Sequence, residues 1–278
     1  MIALVTDSAS QIPPTLAERF GVRVVPVIIT IDGNDYREGI DLNADDFWAR
    51  FEGGTSPDVT TSQPSPGDFR AVYEDAIAAG ATEIVSVHVA ADVSGTINSA
   101  HLAADLVTAD VHVVDSGTAS FGVSSCVWEA AAAIDAGGSA IDAAERAAKM
   151  APNVGTSFII QALDFARQGG RFDFHLPDDA EGVIVLSGLG TAVEITGRGR
   201  SVDELCDQMA AHFTSDGVPV RAGVCLADAA TLPFTEGIEE RLRASDLVVD
   251  MVRYRVGPSI AAHTGPGTAG GFWWPVRD

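Results

Sequence analysis

Basic residues are scarce in this chain. Lysine occurs once, at Lys149, and 17 basic residues stand against 39 acidic ones, a formal charge of −22 over 278 residues. Such a surface repels phosphate backbones and anionic headgroups, which argues against nucleic acid or membrane-surface partners. A salty cytoplasm favours this composition and a GC-rich genome produces it too; both explanations stand. Cysteine is sparse as well. Cys126, Cys206 and Cys225 are odd in number, far apart and without Cys-x-x-Cys spacing, which indicates neither a disulfide framework nor a zinc knuckle. Each is expected to pack as a small apolar residue in a reducing cytosol. No apolar run is long enough to span a bilayer. The opening Met1-Ile2-Ala3-Leu4-Val5 enters a strand at once, without the basic segment and long apolar stretch of a secretory signal. The expected compartment is the cytoplasm.

Catalytic and nucleotide signatures are missing too. There is no Gly-x-x-x-x-Gly-Lys-Ser/Thr loop, no His-Glu-x-x-His and no Gly-x-Ser-x-Gly elbow. Six histidines are scattered, so no metal site is expected, and no cofactor. Gly188-Leu189-Gly190 is a bare Gly-x-Gly outside a strand-to-helix context and reads as a turn.

What is present is a core. Hydrophobic residues make up 46% and charged residues 20%, enough for one large domain or two modest ones. The first half alternates strand and helix. Strands are expected at Ile2 to Val5, Val22 to Ile31, Ile84 to Val89 and Val111 to Val114. Helices are expected over Thr15 to Phe20, Gly67 to Ala79, Ile97 to Leu106 and an alanine-rich stretch ending near Ala136. Ser65 is a good N-cap for the second of these, with Pro66 at its first position and Asp68 in its first turn. The alternation predicts an α/β fold with a parallel sheet covered on both faces. A boundary is expected at Pro152-Asn153-Val154-Gly155, dividing the chain into 1–151 and 152–278. The second half mixes strands and helices and ends in a Gly-rich tail.

In parallel sheets, ligands sit beyond the carboxyl ends of the strands. Here those ends carry Asp7-Ser8, Ser94-Gly95-Thr96 and Asp115-Ser116. Taken singly, each loop caps a helix; together they suggest a shared polar site. Ser94-Gly95-Thr96 opens a helix, so backbone N–H groups can face a ligand oxygen, and Gly95 permits close approach. Thr61 adds a hydroxyl from a Pro-stiffened loop. His263 precedes the rigid Thr264-Gly265-Pro266-Gly267 and could present an imidazole, or serve as a hydrogen-bonded structural histidine. Hydroxyls, amides and one histidine suit a monoanionic carboxylate better than a polyphosphate. A Ser94/Asp115/His263 hydrolase triad can be drawn, though triads are defined by geometry and not by spacing.

These pieces resemble a known pattern. The chain is similar to the DegV family of fatty-acid-binding proteins through Val5-Thr6-Asp7-Ser8, Thr61-Ser62-Gln63-Pro64-Ser65, Ser94-Gly95-Thr96, Val114-Asp115-Ser116 with Ser120, Gly169-Gly170-Arg171 and His263-Thr264-Gly265-Pro266-Gly267. The resemblance implies a non-enzymatic carrier of two domains, a parallel-sheet α/β domain and an α/β domain with a mixed sheet. A long-chain fatty acid would lie between them. It would be presented to a separate ATP-dependent fatty acid kinase for acyl phosphate formation and phospholipid synthesis. By position, Thr61, Ser94 and His263 would hold the carboxylate, Gly95 and Ser120 would be further contacts, and Arg171 would serve the kinase interface or form a structural ion pair. The alternatives are a carrier of another small carboxylate, or a Ser/His acyl hydrolase. One departure stands out. After Arg171 the family's apolar helix and Lys-Pro strand are replaced by Phe172 to Glu181. This predicts a pocket that is shorter, more open, or reshaped by Phe172, Phe174 and Phe272-Trp273-Trp274.

Overall fold

The computed structural model describes residues 1–54, 56–171 and 182–276. The first part of the chain runs β1 (Ile2–Asp7), α1 (Pro14–Phe20), β2 (Val22–Val25), β3 (Ile28–Ile31), β4 (Asn34–Arg37), α2 (Ala44–Trp48), β5 (Val59–Ser62), α3 (Pro66–Ala78), β6 (Glu83–His88), α4 (Thr96–Ala104), β7 (Asp110–Asp115), α5 (Phe121–Asp135) and α6 (Ala140–Met150). It continues with β8 (Gly155–Ile159), α7 (Leu163–Gly169), β9 (Val183–Leu189), β10 (Ala192–Gly199), α8 (Val202–Phe213), β11 (Val220–Leu226), α9 (Leu232–Arg243), β12 (Val248–Arg255), α10 (Pro258–Thr264) and β13 (Ala269–Pro275).

A four-stranded parallel sheet of order β2-β1-β6-β7 forms the first layer. Its two central strands, β1 and β6, are buried on both faces and carry mostly apolar residues. Ala3, Val5 and Ile84 face Phe69 and Tyr73 of α3 and Ala100 of α4. Leu4, Val85 and Val87 face the other way, into a cluster with Val127 of α5 and Ala143 and Ala147 of α6. The Ser65 cap forms as expected, with the Asp68 N–H donating to Ser65 and the Asp68 carboxylate accepting from the Ser65 N–H at 2.8 Å. The same reciprocal cap at Ser139 and Asp142 starts α6, an element the sequence reading does not assign.

Val22 to Ile31 is not one strand. Pro26 offers no N–H to a ladder, and the chain divides there. β2 stays in the parallel sheet, while β3 becomes the middle of an antiparallel sheet of order β4-β3-β5. Thr61 therefore sits on a strand, not on a loop.

The third sheet is mixed and six-stranded, of order β10-β9-β8-β13-β11-β12. Here the Gly-rich tail proves to be β13, an interior strand between β8 and β11. Its glycines allow close packing: a Cβ on Gly271 would lie 2.1 Å from the Gly223 carbonyl oxygen. Pro152 to Gly155 leads straight into β8. Helix α7 follows β8, beginning at Leu163.

Helix α5 fastens the parallel sheet to the mixed one. Phe121 stacks on Tyr254 at 4.7 Å, occupying space that a Cβ on Gly223 would fill. Trp128 meets Trp274 edge-on at 5.7 Å, and the Trp274 indole donates to the buried Glu129 carboxylate at 3.2 Å. Burying one such aromatic contributes roughly 4–6 kcal/mol before the entropy of ordering it. From α2, the Trp48 indole donates to the Val256 carbonyl at 2.9 Å. Among the described residues, no helix is long and apolar enough to cross a membrane.

Candidate ligand-binding site

Residues of the parallel, three-stranded and mixed sheets and their loops line a common cavity of about 450 Å³. That lies in the range of about 300–1,000 Å³ usual for small-ligand sites. One side is made by the carboxyl ends of the parallel strands and their following loops, through Ala9, Val89, Val93, Ser94 and Ser120. The opposite wall is a face of the mixed sheet, through Thr156, Phe158, Cys225, Tyr254 and Phe272. Helix α10 supplies Ser259, Ile260 and His263, and β5 supplies Thr61. None of the described residues lining the cavity is acidic, in a chain of formal charge −22; Arg171 and His263 are the basic ones.

Thr61, Ser94, Gly95, Ser120, His263 and Arg171 all line this one cavity. Thr61 Oγ1 and His263 Nε2 are 3.0 Å apart. His263 lies in the last turn of α10, and Gly265 caps the helix with a φ of 70°. Ser94 Oγ is 2.8 Å from Thr96 Oγ1 and accepts from the Thr96 N–H at 3.3 Å, so its hydroxyl stands at the start of α4.

Gly95 also packs against another segment. The volume its missing side chain leaves open is filled by Gln63, whose Oε1 would be 1.9 Å from a Cβ there. Gln63 also donates to Ser99 Oγ at 3.1 Å. It thus ties the end of β5, which carries Thr61, to α4, whose preceding turn carries Ser94. Ser120 adopts a φ of 54°, uncommon for a residue with a Cβ, and lines the cavity together with Tyr254. Burial raises the Tyr254 phenol well above its ordinary value and pushes the Cys225 thiol up to about 12, so both stay neutral on the cavity wall. Arg171 is exposed, and its Nε donates to the Val93 carbonyl at 2.9 Å, next to Ser94. Asp115, the third member of the triad drawn from sequence, accepts from the N–H groups of Gly117 at 2.9 Å and Ala91 at 3.4 Å. The departure at Phe172 and Phe174 lies outside the described residues. Of the aromatic run at 272–274, Phe272 lines the cavity while Trp273 and Trp274 are core.

The profile of the DegV family, described as one of uncharacterised proteins, matches residues 1–174. A DegV domain-containing protein of Deinococcus radiodurans is 31% identical over 287 residues, covering 97% of this chain and 96% of its own. The chain belongs to the DegV family. Among DegV proteins of known structure, one from Thermus thermophilus, described for its fatty acid binding, superposes with a TM-score of 0.87 at 32% identity, over 99% of each chain. DegV of Bacillus subtilis, described as a fatty acid binding protein, gives a TM-score of 0.84 at 26% identity, again over 99% of each chain. The two-domain α/β architecture is that of these DegV structures.

Several lining residues have no motif to mark them. Phe158, Tyr254 and Cys225 are spread over three strands and converge only through sheet order. Gln63 sits inside a matched DegV motif, yet its packing on Gly95 is a contact between segments. Helix α10 did carry a signal, since Pro258 after Gly257 suits a first helical position.

Proposed function

We propose that this DegV protein is a non-enzymatic carrier that binds a long-chain fatty acid non-covalently between its domains, 1–151 and 152–278. Thr61, Ser94 and His263 hold the carboxylate, with Gly95 and Ser120 beside them, and the chain lies along the apolar walls. The observation that carries this reading is the Thr61–His263 pair in a cavity whose described lining has no acid. A buried carboxylate needs several donors or it takes up a proton instead, and hydroxyl and imidazole groups supply charge-assisted hydrogen bonds. Each buried CH₂ adds roughly 0.8 kcal/mol, so a long acyl tail gains on the order of 10 kcal/mol before association costs. The relatives described as fatty acid binding support the same assignment.

The test is denaturing extraction of freshly purified protein followed by mass spectrometry. A stoichiometric fatty acid is expected, along with no ester hydrolysis by the isolated protein. An empty protein that also fails to bind added palmitate would end the carrier reading.

The same reading makes the protein the substrate-presenting subunit of a separate ATP-dependent fatty acid kinase, feeding phospholipid synthesis in the cytoplasm. Arg171 serves that interface. Its position supports this, because the guanidinium is exposed and bonded to the residue before Ser94. With the kinase present, Arg171→Ala should lower the phosphorylation rate far more than it lowers affinity. An unimpaired rate would remove Arg171 from the interface.

A further inference from the structure

Helix α10 is fastened at both ends to the same small sheet. At its far end, His263 meets Thr61 on the edge strand β5. At its near end it meets Glu38, which directly follows the opposite edge strand, β4. Glu38 is buried and extends that ladder, its N–H donating to the Val27 carbonyl at 3.0 Å. Its carboxylate accepts from the Ser259 N–H of α10 at 3.0 Å, from the Ser8 hydroxyl at 2.5 Å and from the Gln11 amide at 3.4 Å. Gln11 completes the clasp. It donates to Ser259 Oγ at 3.1 Å and to the Ser8 carbonyl at 2.8 Å, and accepts from the Gly257 N–H. A Cβ on Gly257 would lie 2.6 Å from Glu38 Oε1, so this approach requires glycine there.

The dimensions agree. Three strands span about 10 Å from edge to edge. The four-residue step from Ser259 to His263 rises about 6 Å along a helix, and the two side chains cover the rest. Sliding or tilting α10 by a fraction of a turn would take the imidazole out of reach of Thr61.

We propose that Glu38 is a positioning residue for the carboxylate site: by holding the start of α10 against the sheet that carries Thr61, it sets where His263 stands. The inference rests on the fatty-acid reading of the cavity only for its effect on affinity, since the placement of His263 is a property of the unliganded protein.

A double-mutant cycle tests it. Palmitate affinity is measured for wild type, Glu38→Ala, His263→Ala and the double variant. Glu38→Ala is expected to weaken binding about tenfold, and to add nothing once His263 is alanine. In isotope-labelled unliganded protein, the His263 ring resonances should shift in Glu38→Ala. Unchanged resonances, or losses that simply multiply in the double variant, would overturn the proposal. If Glu38→Ala does not fold, Glu38→Gln, which keeps the length but exchanges an acceptor for a donor, runs the same cycle. Wild-type affinity in His263→Ala would instead defeat the carboxylate-site reading, and the ring resonances would still decide whether Glu38 places His263.

Discussion

Thr61 and His263 stand 202 residues apart in sequence and 3.0 Å apart in space, one on an edge strand and the other on a two-turn helix. A hydroxyl that accepts from the imidazole keeps its own proton for a ligand oxygen. In that tautomer the proposed carboxylate would be met by the Thr61 hydroxyl, with His263 behind it.

Removing either partner should weaken fatty-acid binding. We expect about a ten- to hundredfold loss for Thr61→Ala and for His263→Ala, the range for hydrogen bonds to a charged group. Thr61→Ser should retain most of the affinity. Calorimetric titration with palmitate checks this, alongside melting curves showing that the variants remain folded. Undiminished affinity in both alanine variants would take the pair out of the site.

Gly95 and Gln63 should behave as one unit. Gly95→Ala places a methyl group 1.9 Å from Gln63 Oε1 and is expected to push the flexible Gln63 amide aside, costing about 1 kcal/mol through the loss of its bond to Ser99 Oγ. In a Gln63→Ala background the same change should be nearly harmless. Urea denaturation of the four proteins decides it, and equal losses in both backgrounds would contradict the packing described.

Glu239 gives a pH dependence of known sign. Arg253 donates to its carboxylate at 2.6 and 2.7 Å and Arg243 at 2.7 Å, holding it below the usual carboxylate value of 4.5. A lowered folded pKa adds stability above the unfolded value and loses it as pH falls through the folded one. Glu239→Gln should therefore cost about 1–2 kcal/mol at neutral pH, since both arginines keep partial access to water. In strong acid, where the wild-type carboxyl is also protonated, the gap should close. A gap independent of pH would mean that charge is not what Glu239 contributes.

The thiols should be inert until the protein unfolds. Burial pushes Cys126 and Cys225 up to about 12 and Cys206 to about 11. For Cys225, about one thiol in ten thousand would be ionised near pH 8. A colorimetric thiol assay should find no fast-reacting group in the native state, and all three in denaturant. Rapid labelling of Cys225, which lines the cavity, would show that the wall opens to solvent.

How much of this was legible in the sequence differs by region. The parallel sheet was, because alternating apolar runs and Ser65-Pro66 with Asp68 are local signals. The three-stranded sheet was not. Pro26 divides an apolar run that looks continuous, and β4 is mostly polar, so pairing with β3 rather than its own composition makes it a strand. Glycine concealed β13 in the same way, marking backbone approach to Gly223 where a tail was expected. At the site, Thr61, Ser94, Ser120, Arg171 and His263 were named from motifs and all reach the cavity. Glu38 and Gln11 went unnamed because their partners lie on α10, near the other end of the chain.

The place of β13 has a consequence for biosynthesis. It lies between β8 and β11, yet it follows every other strand of its sheet in sequence. During vectorial translation, β10-β9-β8 and β11-β12 emerge as separate ribbons with no strand pairing between them. The wall carrying Thr156, Cys225 and Tyr254 can close only once residues 269–275 have left the ribosome. A nascent chain from which this segment has not yet emerged would thus have no finished cavity and could hold no lipid there.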